Sequence, residues 1–238
     1  YKLAAVMLEP LAAFKPEKKF LHELKKYCRK YKTLLIFDEV CTGFRISLGG
    51  AQKIYKIKPN LATFGKAMGN GFPISALVGE KKIMKNFDKV FYSGTFGGET
   101  LSLEACKETI SHLKKNKSIE KNIKKGNFLI RNFNNLFKKY NLIDKIFLNG
   151  HPAWPFLIIK HSSVKTQQEI KTFFMQEYAL NRILFFGSYN INASHNFNDL
   201  KKIISVSKKI LIKLSLNNFN IKKFLIAKPT QPILKIRN

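Results

Sequence analysis

Leu34-Leu35-Ile36-Phe37-Asp38-Glu39 decides the fold of this chain: four consecutive apolar residues end abruptly on two carboxylates. So short a continuous apolar run, bounded by charge, is the pattern of a strand covered on both faces rather than of one with a solvated side. Similar runs flank it. Leu3 to Leu8 is closed by Glu9-Pro10, and Leu61 to Phe64 and Ile74 to Val78 follow downstream. Between the first two runs, Pro16 opens a segment in which Phe20, Leu21, Leu24, Tyr27, Cys28 and Tyr31 recur at the roughly 3.6-residue period of a helix. Strands alternating with helices predict an α/β fold built on a mostly parallel sheet with flanking helices.

Further along, the pattern changes. A helix is expected over Glu99 to Lys115, with Leu103, Cys106, Ile110 and Leu113 facing inward. A longer one should run from about Ser118 to Tyr140, with a polar face of lysine and asparagine. After Gly150 the order is strand (Phe156 to Ile159), helix (Thr166 to Asn181), strand (Ile183 to Phe186) and helix (Asn198 to Leu214), a smaller α+β lobe. From Asn217 no period is visible, and Pro229 and Pro232 point to an irregular tail. The expected organisation is therefore residues 1–115 as part of a large domain, 116–216 as long helix and small C-terminal domain, and 217–238 as tail.

Composition narrows the class. With 45% hydrophobic residues the chain can bury a core, which excludes a disordered polypeptide. No apolar run is long enough for a membrane-spanning helix, and no signal peptide is visible. The opening on Tyr1, inside a strand-like run and without Met, suggests an N-terminally incomplete sequence. Cys28, Cys41 and Cys106 have no metal-ligand spacing and read as small packing residues in a reduced, cytoplasmic protein. For Cys41, too, simple packing is preferred over a reactive thiol. The net charge of +28 comes from 43 Lys+Arg against 15 Asp+Glu. These cations are dispersed over helix faces, without a dense patch, so binding of nucleic acid is not the expected role.

Four features fall at strand ends or just beyond, where open α/β sheets bind ligands. Asp38 closes a buried run, and a carboxylate there needs a cationic partner. Lys66 lies in Thr63-Phe64-Gly65-Lys66-Ala67-Met68-Gly69-Asn70-Gly71-Phe72-Pro73, where glycines let the backbone turn sharply and a flat group approach. An amine partly shielded from water in such a place would be a nucleophile. Thr42-Gly43-Phe44-Arg45 leads into Gly49-Gly50-Ala51-Gln52, and Ser93-Gly94-Thr95-Phe96-Gly97-Gly98 offers hydroxyls and free N–H groups suited to a phosphate.

In this order, with Asp38 and Lys66 standing 28 positions apart, these segments closely resemble the class III, fold-type I pyridoxal-phosphate aminotransferases. Phe44-Arg45 and Gly49-Gly50-Ala51-Gln52 look most like the glutamate-1-semialdehyde aminomutase branch. Asn192-x-Ser194-His195 is similar to the family's C-terminal region. The resemblance implies that Lys66 forms the internal aldimine with pyridoxal 5'-phosphate and then moves a proton between the substrate's α-carbon and the cofactor. Asp38 would hold the pyridine nitrogen protonated, and Val40 would pack on the ring face. Gly94 and Thr95 would bind the cofactor phosphate, Thr95 usually from the neighbouring subunit, which implies a homodimer with shared active sites. Glu9 would have a supporting role near the site. No metal is expected.

Family members are longer, with a portion preceding Tyr1 that supplies the rest of the cofactor cradle. Where the aminomutase carries Ser-Gly-Asn-Pro, this chain has Gly97-Gly98-Glu99-Thr100. That departure favours amino-group transfer from an amino donor to a keto or aldehyde acceptor, ahead of intramolecular transfer of the aminomutase type. An inactive basic fragment that binds polyanions ranks last.

Overall fold

The computed structural model describes residues 2–17 and 19–231. It divides into two compact units, Tyr1–Lys121 and Asn122–Asn238, each with its own core.

The first unit is organised by a four-stranded sheet of β1 (Ala5–Leu8), β2 (Leu34–Asp38), β3 (Leu61–Phe64) and β4 (Ala76–Gly79), in that spatial order. The first three strands are parallel, with Leu8 beside Phe37 and Asp38 beside Thr63, and β4 runs antiparallel to β3. The crossover from β1 to β2 is α1 (Phe20–Lys30), the short α2 (Gly50–Tyr55) precedes β3, and the one-turn α3 (Lys81–Met84) follows β4. Leu35 and Phe37 of β2 are fully buried, while Leu34, Ile36 and Asp38 on the opposite face are only partly covered. The sheet is α/β as expected, although its central strand is covered more tightly on one side.

The apolar stripe of α1 is divided in the same way. Leu21 and Cys28 are buried and Leu24 packs on the core, whereas Tyr27 and Tyr31 remain 56% and 66% exposed. Together with Leu3 and Val6 these tyrosines line an open groove beside β1, the outermost strand among the described residues.

Another helix, α4 (Thr100–Lys115), is capped by Glu99, whose carboxylate accepts from the N–H groups of Leu101 and Ser102. Its inward face differs from expectation at one position: Leu103 is 51% exposed. The covered stripe instead follows Ser102, Cys106 and Ile110, one residue earlier around the helix.

Aromatic residues dominate the second unit. Leu129, Phe133 and Phe137 project from α5 (Ser118–Lys139) at four-residue intervals. They meet Ile170, Phe173, Phe174 and Tyr178 of α6 (Val164–Leu180) and Leu200, Ile210 and Leu214 of α7 (Phe197–Leu216). Edge-to-face contacts join Phe133 to Phe137 and to Tyr189. Within this core the Tyr178 hydroxyl lies 2.7 Å from the Tyr189 hydroxyl and 2.5 Å from Ser207 Oγ, which donates to the Ile203 carbonyl. Burial pushes both phenols above their usual range.

Two strand assignments in this unit are corrected. The strand Trp154–Ile159 (β6) pairs antiparallel with Ile146–His151 (β5), a hairpin partner that sequence reading did not assign. Ile183 to Phe186 is not a strand. The backbone just after it reaches β6 instead, through Leu157 N–H to Gly187 O (2.9 Å), Tyr189 N–H to Pro155 O (2.8 Å) and a bridge between Phe156 and Ser188. The apolar pattern of Ile183 to Phe186 reflects Phe185 entering the core, with Leu184 and Phe186 exposed.

Beyond α7 the chain lies along α6. Gln176 exchanges hydrogen bonds with Phe224 O and Ile226 N–H, and Thr172 with Thr230. Pro232 lies outside the described residues.

Gly126 sits inside α5 because the chain of the β5–β6 turn passes against it; a Cβ there would overlap the Pro152 carbonyl oxygen. Helix propensity alone would favour alanine by about 1 kcal/mol. The overlap reverses the sign, so Gly126→Ala is expected to destabilise by about 1–3 kcal/mol in urea unfolding. Phe133→Ala should cost about 3–5 kcal/mol, while Leu103→Ala, on an exposed face, should stay within about 0.5 kcal/mol.

His195 provides a pH-dependent test. Its Nδ1 accepts from the Asn192 N–H at 3.2 Å, so protonation there breaks a bond. Burial and the nearby Lys125 lower its pKa from the ordinary 6.5, against an opposing pull from Asp199. The unfolded chain therefore binds the extra proton first, and His195 contributes stability that is lost as pH falls below its unfolded pKa. A His195→Asn variant should show a shallower acid-side loss of stability in unfolding measured from neutral to mildly acidic pH.

Candidate active site

Because β1, β2 and β3 are parallel, their C-terminal ends lie along one edge of the sheet, carrying Glu9, Asp38 and Gly65-Lys66 in turn. This is the edge at which sheets of this kind present chemistry.

Asp38 is held by its neighbours. Its Oδ1 accepts from the Val40 N–H at 3.0 Å and from the Thr63 hydroxyl of β3 at 3.1 Å. Among the described residues no hydrogen bond reaches Oδ2. The carboxylate is thus oriented through one oxygen while the other is left for a cation. Val40 follows directly, with its methyl groups beside the Gly65 backbone at the end of β3.

Lys66 starts a short 3-10 turn, Lys66–Met68, in the left-handed region at φ 44°. Most described non-glycine residues in that region follow the end of a helix, whereas Lys66 begins one, and strain of this kind persists where the surroundings impose it. The turn is closed by Gly69 and Asn70 N–H groups on the Lys66 carbonyl, at 3.2 and 3.0 Å. The side chain is exposed, and its Nζ lies 2.8 Å from Cys41 Sγ.

Glu39, next to Asp38, points the other way and is wholly buried. Its carboxylate accepts from the Thr42 hydroxyl and from the N–H groups of Ala51 and Gln52, both at 2.8 Å, at the start of α2 (Gly50–Tyr55). Gly50 is required here: its φ is +65°, and a Cβ would overlap Glu39 Oε2. Phe44 packs edge-on against Phe64 at 5.7 Å, and Arg45 is partly buried, which lowers its guanidinium pKa against an opposing effect of Cys41.

Not every candidate joins this group. Gly94 and Thr95 lie in an exposed turn closed by Gly97 N–H to Gly94 O at 2.9 Å. No hydrogen bond among the described residues links them to Asp38 or Lys66. Glu9 is exposed at the end of β1 without a described partner. Thr63, Glu39 and Cys41 gain parts in the site that the sequence did not assign. Only Thr63 carried a usable signal, since a hydroxyl late in a neighbouring parallel strand can reach an acid at the end of β2.

The class-III aminotransferase family model matches residues 1–152, and the chain belongs to that family. It is 42% identical over 148 residues to a glutamate-1-semialdehyde 2,1-aminomutase of Fusobacterium nucleatum, covering 59% of this chain and 34% of that protein. It is 30% identical over 223 residues to the protein of the same name from Thermosipho melanesiensis, covering 87% and 53%. The chain thus spans between about a third and about a half of the length of these two curated relatives. Among solved structures, the PLP internal aldimine form of FumI from Sphingopyxis sp. MTA144 aligns at a TM-score of 0.81 with 21% identity, over 91% of this chain and 53% of that one. A β-phenylalanine aminotransferase from Variovorax paradoxus aligns at 0.79 with 19% identity, over 90% and 53%. These likenesses define the fold, that of the fold-type I transaminases. No described helix is long and apolar enough to cross a membrane.

The Glu39 network yields a stability test. Glu39→Gln keeps the shape and loses the charge that binds three donors, so it should cost about 1.5–3 kcal/mol in chemical denaturation. Glu9→Gln at the exposed end of β1 should change stability by less than about 0.5 kcal/mol.

Proposed function

We propose that this chain carries the lysine and ring-nitrogen partner of a pyridoxal-phosphate enzyme that transfers an amino group from an amino donor to a keto or aldehyde acceptor. The observation that carries the reading is an accessible amine just past β3 and, on the neighbouring parallel strand, a carboxylate at the end of β2 held, among the described residues, through Oδ1 alone. The donor set fits the cofactor: a primary amine for its carbonyl carbon, and one unpartnered carboxylate oxygen for a protonated ring nitrogen. When bound, pyridoxal phosphate supplies an electron-poor ring that stabilises negative charge at the substrate's α-carbon.

Around it, each residue has a part. Lys66 Nζ takes the proton from the substrate's α-carbon and returns it on the other side of the transfer. Asp38 Oδ2 would accept from a protonated ring nitrogen, with Thr63 and the Val40 N–H fixing the carboxylate's rotation. Val40, whose methyl groups lie beside Gly65, would pack on the ring. Gly94 and Thr95, exposed within one chain, would serve the phosphate of a neighbouring copy, so the working form is a homodimer with shared sites. The unpaired cysteines agree with a cytoplasmic, reducing location.

A second reading is favoured by the curated relatives, which are named glutamate-1-semialdehyde 2,1-aminomutase: transfer of the amino group within one molecule. Lys66 and Asp38 serve both. Release of a keto acid from the amino donor supports the intermolecular reaction; isomerised product without it supports the mutase.

The first test is absorbance of the full natural chain with pyridoxal phosphate. A visible band bleached by borohydride, present in the native protein and lost in Lys66→Ala, is the expected result. A band that survives the substitution overturns the assignment. In turnover, Lys66→Ala should lower kcat by at least about 100-fold, and Asp38→Asn should weaken turnover without removing the band.

A further inference from the structure

Cys41, expected to be a packing residue, lies at intermediate burial beside the candidate site. It is partly exposed, and its Sγ accepts a hydrogen bond from Lys66 Nζ at 2.8 Å. The contact joins the loop after β2 to the turn after β3, so two separately anchored backbone segments hold it. On one side, the Glu39 carboxylate fixes the loop through Thr42. On the other, Gly69 and Asn70 N–H groups close the Lys66 turn. Arg45, four residues on, interacts electrostatically with the same thiol. Cys28 is buried in the sheet core and Cys106 packs against it, and none of the three thiols is in a disulfide. Among the described residues the side chain beside the Cys41 sulfur is therefore an amine and not a second thiol.

We propose that Cys41 and Lys66 form an oxidative modification site, in which a peroxide drives formation of a covalent S–N bond between the two side chains. In the first step the Cys41 sulfur displaces one oxygen of the peroxide O–O bond and becomes a sulfenic acid; sulfur gives up two electrons and the other oxygen leaves as water or alcohol. In the second, the neutral Lys66 amine attacks the sulfenic sulfur, the S–O bond breaks, and water leaves with one amine proton. The product is a sulfenamide lacking two hydrogens relative to the reduced pair. Two equivalents of external thiol reverse it, one attacking sulfur and the second resolving the mixed disulfide. While the bond exists, Lys66 cannot react with a carbonyl compound. That consequence rests on the proposed role of Lys66, whereas the bond itself does not.

The experiment treats the full natural chain, without cofactor, with hydrogen peroxide and reads intact mass and peptide maps. The expected result is a species lighter by two hydrogens, with the Cys41 and Lys66 peptides joined and both restored by dithiothreitol. The species should persist when Cys28 and Cys106 are replaced by alanine, which removes the disulfide alternatives. It should vanish in Cys41→Ser, and in Lys66→Arg a Cys41 sulfenic acid should be trapped by dimedone instead. Circular dichroism of each variant confirms that it is folded. Oxidation of Cys41 to sulfinic acid without joined peptides overturns the proposal, as does joining of Cys41 to a different lysine. Repeating the treatment with saturating pyridoxal phosphate separates the two readings. Suppression of the crosslink is expected; a crosslink formed undiminished leaves the modification site standing and overturns Lys66 as the cofactor lysine.

Discussion

The buried carboxylate of Glu39 is the interaction on which the arrangement around Asp38 and Lys66 depends. Taking a carboxylate out of water costs several kcal/mol unless donors replace the lost hydration. Here the Thr42 hydroxyl and the N–H groups of Ala51 and Gln52 do so, and the two N–H groups are orphan donors of the first turn of α2. One group thereby fixes both the turn that leaves β2 and the helix that follows it. Asp38 on one side and Val40-Cys41 on the other are consequently presented at the sheet edge with little freedom. Gly50 is the price of this arrangement, since only glycine leaves room for the carboxylate at that φ.

Across β2 and β3 a weaker link completes the site. The Thr63 hydroxyl ties Asp38 to the strand that delivers Lys66, so the acid and the amine share one rigid sheet instead of two loops. Sites built on such elements keep their geometry better than sites on mobile segments. The Ser93 to Gly98 turn is the opposite case: it is exposed and has no side-chain anchor within the described residues.

Charge plays a smaller part than its total suggests. The described ion pairs, Lys82–Glu80, Lys107–Glu104 and Lys213–Glu177, are on the surface or nearly so, and such pairs contribute little stability. The second unit is instead held by its aromatic core and by the Tyr178–Ser207–Tyr189 hydroxyl cluster, in which each buried hydroxyl has a partner.

Much of this was legible in the residues themselves. The apolar runs ending in Glu9, Asp38 and Gly65-Lys66 specified parallel strands and put these candidate residues at their ends, because the strand period and the burial requirement are local properties. Helices α1, α4, α5, α6 and α7 followed from periodicity, with errors of a few residues at their ends. Tertiary structure decided what periodicity cannot encode. It paired Ile146–His151 with Trp154–Ile159, left Ile183 to Phe186 outside the sheet, and turned Leu103 out to solvent, because pairing and coverage depend on what lies alongside. It also turned Glu39 inward and Asp38 toward the sheet edge, and brought Cys41 to Lys66 from 25 positions away. Sequence fixed which groups were available; only the packed chain fixed which of them touch, because hydrogen bonds and contacts between distant residues exist only once the backbone has closed around them.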